Sequence, residues 1–86
     1  MSEQRLRELI AQVDERLRGG ALDAESRRLL GALIRDIERA LGGAAPAPAA
    51  AHVPRLESLA VQFEAGHPAL AEALRQLIDA LGKAGI

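Results

Sequence analysis

The chain has 86 residues, enough for one small domain, and at that length folding buries only about 60–65% of the unfolded surface, so a single core is marginal. Its 11 basic residues against 12 acidic ones leave a net charge of -1, which excludes a nucleic-acid binder relying on a strong positive field. With no Cys, Trp or Tyr and 1 Phe, a disulfide framework, a thiolate zinc site, a cysteine nucleophile and a base-stacking platform are excluded as well. The apolar share is mostly Ala and Leu, strong helix formers, while strand formers are scarce, so the expected fold class is all-α. No apolar run approaches the ~20 residues that span a bilayer. Met1 to Glu8 is charged and has no secretory apolar region, so a cytoplasmic protein is expected.

The first segment runs from about Ser2 to Arg18. Leu6, Ile10, Val13 and Leu17, flanked by Leu9, recur at 4-3-4 spacing and make one stripe on a helix. Ser2 suits the N-cap, and Glu3 with Arg7 and Asp14 with Arg18 are acid-first pairs one turn apart. Gly19-Gly20 ends the helix, because glycine tolerates the left-handed conformation of a helix stop. The second segment runs from about Ala24 to Leu41, with Asp23 as N-cap and Arg27 as its pair. Leu29, Leu30, Leu33, Ile34, Ile37 and Leu41 form a face about 140° wide at ~100° per residue, enough to touch two neighbours. The short link makes segments one and two a helical hairpin.

Residues 42–53 are Ala/Gly/Pro-rich. Pro46 and Pro48 block a continuous helix, and a flexible linker is expected over this stretch. The third segment starts at Pro54 and carries Leu56, Leu59, Ala60 and Phe63. Pro68 cannot donate to the carbonyl of Glu64, and its ring clashes there, at a cost of roughly 3 kcal/mol within a continuous helix. His67 is therefore a cap and Pro68 opens the fourth segment, with one helix kinked at Pro68 as the alternative. Leu70, Leu74, Leu77 and Leu81 repeat at 4-3-4 spacing with Ile78 beside them. Asp79 pairs with Lys83, and Gly82 is the expected stop.

Little in the sequence points to chemistry. His52 and His67 each sit near a proline at a helix start, with no His-x-x-x-His or Glu-x-x-His pattern nearby, so capping or linker roles are expected and no metal ligand is assigned. A pH-sensitive contact at His67 is one alternative. Asp14-Glu15 and Asp23 with Glu25 are too close in sequence to face each other as an acid/base pair. Ser26 and Ser58 lack a His and Asp arrangement. The Gly-Gly pairs lack the Lys-Ser/Thr ending of a phosphate loop. No catalytic residue and no cofactor are expected, and the chain is read as not an enzyme.

The chain also resembles a known family. The run Phe63-Glu64-Ala65-Gly66-His67-Pro68-Ala69-Leu70, followed by Leu74 to Leu81 and the ending Gly85-Ile86, is similar to a family of short bacterial proteins known as a domain of unknown function, number forty-four-oh-four. Met1 to Leu9, Leu22-Asp23 and Ile34-Arg35-Asp36-Ile37 share the likeness, which leaves out only the Ala/Pro stretch. The resemblance implies a small, mostly helical bacterial protein and assigns no activity, substrate or functional residue.

The expected architecture is a single helical domain over 1–86, built as a bundle of two helical hairpins. Phe63, Leu70, Leu74, Leu77 and Leu81 form its candidate seam. Their spacing suits either the core of one chain or a self-association surface, and the small size of the chain favours a seam shared between subunits. The expected function is a structural or protein-interaction module acting through apolar helix faces, with a homo-oligomer as the first partner to look for and another protein also open. A peripheral membrane protein is the alternative, disfavoured because Lys is single and acids match Arg. A small-molecule or metal site near His67 at a subunit interface is the third reading.

Overall fold

The structure is a computed structural model that describes residues 3–20, 22–43 and 48–84. Four α-helices follow in chain order: α1 (Glu3–Gly19), α2 (Ala24–Leu41), α3 (Val53–Phe63) and α4 (Pro68–Ala84). A 3-10 turn over Ala49–His52 leads directly into α3. The longest dimension, 32 Å, is little more than one helix, since 17 residues at 1.5 Å per residue rise about 25 Å. The all-α expectation and the two hairpins hold.

Local chemistry sets most of the helix boundaries. Asp23 has extended backbone at φ -67 and ψ 159, and its carboxylate accepts from the Ser26 amide at 3.3 Å, the N-cap geometry expected for α2. Arg27 does not pair with Asp23; its guanidinium donates to the Leu22 carbonyl at 3.1 Å instead. The Asp14–Arg18 and Asp79–Lys83 pairs form, each at 3.0 Å. Ser2 lies outside the described residues, as do the side chain of Glu3 and the Gly85-Ile86 end. At the end of α2, Gly42 caps and Gly43 takes the left-handed conformation at φ 77.

Gly19 and Gly20 do not take the left-handed conformation expected of them. Gly20 is small for another reason: a Cβ there would sit 3.1 Å from the Arg16 carbonyl oxygen. Gly82 does not stop α4, which continues through it to Ala84.

Pro68 separates two helices rather than kinking one. The His67 amide donates to the Phe63 carbonyl at 2.7 Å, and the His67 carbonyl accepts from the Ala71 amide at 3.0 Å. One residue thus closes α3 and opens α4. Arg75 reaches back to Glu64 at 3.1 Å across this turn.

The core is organised around α4, which packs along both α1 and α3 and also touches the 3-10 turn. Its buried residues are Leu70, Ala71, Ala73, Leu74, Leu77, Ala80 and Leu81. At 100° per residue they cover an arc of about 180°, twice what a single neighbour needs. Leu74, Leu77 and Leu81 are 0% exposed, and Leu70 and Phe63 are also buried. The proposed seam is therefore interior to one chain, and a second copy cannot share it without opening the fold.

The stretch 42–53, read as a flexible linker, is not extended chain throughout. Pro48 is extended at φ -68 and ψ 157. The 3-10 turn after it packs on α2, α3 and α4 and buries Ala49 to 2% exposure. Helix α3 starts at Val53, one residue before the expected Pro54. The turn stands as a wedge between the hairpins, and α2 and α3 barely touch each other.

Leu77→Ala is expected to lower the free energy of unfolding by about 2–5 kcal/mol, because the surrounding helices cannot fully collapse on the cavity. Ala49→Asp is expected to destabilise as well, since it forces a carboxylate against apolar neighbours. Leu29→Ala, on an exposed position, should stay within about 0.5 kcal/mol of the parent chain. Urea unfolding followed by circular dichroism measures all three. A neutral Ala49→Asp would show that the 3-10 turn is not docked.

Candidate functional site

The wide face of α2 divides in an informative way. Leu30, Leu33, Ile34 and Ile37 are buried against α1 and the 3-10 turn, the two neighbours its width requires. Leu29 lies at the edge of that arc and is 56% exposed. It does not belong to the core with the rest of the face, contrary to the expectation from periodicity. Across from it, Leu59 of α3 is only partly buried.

Between these two leucines runs an open groove of about 570 Å³. Helix α2 supplies Leu29, Ala32, Leu33 and Asp36; helix α3 supplies Pro54, Arg55, Ser58 and Leu59. The 3-10 turn packs on both α2 and α3, which barely touch each other, and the groove lies open between these two helices. Its floor is apolar and its two walls carry opposite charges, Asp36 on α2 and Arg55 on α3. Asp36 is ion-paired along its own helix with Arg39. Arg55 has no carboxylate partner among the described residues.

A second cleft, of about 370 Å³, lies where the end of α1 meets the start of α4, with Glu15, Arg16, Gly20 and His67 around it. His67 is half-buried, and its ring meets Phe63 edge-on at 6.1 Å and 87°. Together with its two backbone bonds this accounts for the residue as a packed cap between helices. His52 closes the 3-10 turn. Among the described residues, no group of three or more His, Asp or Glu side chains stands ready to hold a metal ion.

Val61, 68% exposed, is the other large apolar side chain left in solvent among the described residues. It lies on the opposite side of α3, in a smaller groove of about 310 Å³ with Glu57, Arg75, Ile78 and Asp79. Ser26 is the one buried polar residue among those described, and no buried side-chain N or O there lacks a partner. The Ser26 hydroxyl and amide hold the Asp23 carboxyl beside them below its ordinary value of 3.8. That serine thus serves the cap of α2, as its spacing three residues after Asp23 allows.

The depressed Asp23 value has a consequence for stability against pH. The cap contributes stability that is present above the unfolded-state value and lost as pH falls through the lower folded-state value. Asp23→Ala is expected to lower the urea midpoint at neutral pH, with the gap from the parent chain narrowing in acid. A gap that stays constant down to the lowest pH would show that the Asp23 charge does not hold the cap.

No helix among the described residues is long and apolar enough to cross a membrane. The model of the family described as a domain of unknown function, DUF4404, matches residues 3–86, so the chain belongs to that family. No curated protein and no solved structure matches it.

Proposed function

We propose that this member of the family is a non-catalytic interaction module whose docking surface is the groove between α2 and α3, and whose ligand is an amphipathic helix. The observation that carries it is Leu29. It extends the apolar face of α2, yet stands 56% exposed beside an unfilled, largely apolar channel. Burying a leucine side chain is worth about 1.5–3 kcal/mol, so covering Leu29 adds roughly 1 kcal/mol before its neighbours are counted. A channel flanked by two helices is the shape that accepts a third, with apolar side chains spaced one turn apart as anchors. We further take the protein to be bacterial and cytoplasmic, in keeping with its family and its charged, amphipathic helices.

Leu29 and Val61 provide a matched comparison, since both are exposed but only Leu29 lines the larger groove. With the photo-crosslinker benzoylphenylalanine introduced in living cells at one position or the other, residue 29 is expected to give discrete polypeptide adducts, identified by mass spectrometry, and residue 61 few. Equal yields at the two positions, or none at residue 29, would overturn the assignment of the groove.

A further inference from the structure

Resting on that docking reading, we infer that the helix occupying the groove belongs to a second copy of this chain, and that the two copies pair about a two-fold axis with α2 of each against α3 of the other. A two-fold interface uses the same patch twice, so the patch must contain both halves of every contact. This one does. It presents a protruding side chain, Leu29, and beside it the unfilled channel toward Leu59. It also presents an acid on the α2 wall, Asp36, and a base on the α3 wall, Arg55.

Under the two-fold, Asp36 of each copy meets Arg55 of the other, and each Leu29 enters the facing channel. Arg55 gains the carboxylate it lacks among the described residues of its own chain. Asp36 keeps Arg39 at one side and takes Arg55 at the other, which a carboxylate with two oxygens can do. A foreign helix would have to supply an acid for Arg55 and a base for Asp36 at matching spacing, whereas a second copy has both by construction. The net charge of -1 adds little long-range repulsion between copies. Rim charges of this kind fix orientation more than affinity, and the patch is small, so a weak dimer that dissociates on dilution is the expected form.

The test is sedimentation velocity over about a hundredfold range of concentration, with circular dichroism to confirm the fold of each variant. The parent chain is expected to pass from monomer to dimer. Leu29→Asp should raise the dissociation constant roughly tenfold or more, and Val61→Asp should leave it unchanged. Asp36→Arg and Arg55→Asp should each weaken pairing, and the double variant D36R/R55D should recover it, because the swap restores both cross-copy pairs. A parent chain that stays monomeric throughout overturns the inference, as does a dimer indifferent to Leu29 or a double variant no better than its single parents. A monomer that floats with phosphatidylglycerol vesicles in a Leu29-dependent manner would overturn it in favour of a lipid surface. Residue-29 adducts to a different polypeptide, from a chain that is monomeric when pure, would end the second-copy inference and leave the docking groove standing.

Discussion

The structure depends on one helix being buried over about half its circumference. Helix α4 carries Leu70, Leu74, Leu77 and Leu81 along the centre of its apolar arc and Ala71, Ala73 and Ala80 along the edges. The leucines supply buried area, and the alanines let neighbouring helices approach closely. In a chain of this length the surface-to-volume ratio leaves little core to distribute. Placing one helix at the centre, packed against both α1 and α3, concentrates that core along α4.

That arrangement decides where the fold remains open. Once α4 has taken α1 and α3 as its neighbours, α2 is left with α1 and a short 3-10 turn. The turn begins with three alanines and packs on α2. Leu29, at the edge of the apolar face of α2, is left exposed, and it lines the groove with the partly buried Leu59 of α3. The apolar surface available for recognition is thus a by-product of how the core was filled, and the opposite charges of Asp36 and Arg55 give it an orientation.

Much of this is written locally in the chain. The bounds of α2 and the break at Pro68 follow from an aspartate cap, a glycine pair and a proline that cannot continue a helix, and they appear where those residues stand. The role of the leucine repeat on α4 was not legible in the same way. A 4-3-4 spacing is common to a core stripe and to a self-association seam, and only the tertiary arrangement chooses between them. The same holds for Leu29, whose place on the helical wheel resembles that of Leu33 but whose neighbour is missing. The 3-10 turn was hidden because Ala49 to Ala51 has no periodicity and follows two prolines. Its burial comes from long-range contacts with three helices. Arg55 and Asp36, 19 residues apart in sequence, meet at one groove only because the hairpins stand side by side.

Two statements, that the core is complete within one chain and that Leu29 lies outside it, meet in a single measurement. Leucine methyl groups labelled for nuclear magnetic resonance, in dilute protein with a soluble gadolinium agent, report directly on access from solvent. The methyls of Leu74, Leu77 and Leu81 are expected to remain sharp while those of Leu29 broaden strongly. Broadening at Leu74, Leu77 and Leu81 in the dilute chain would contradict the account, because it would return those leucines to an open seam and leave α4 without the neighbours on which the rest of the structure depends.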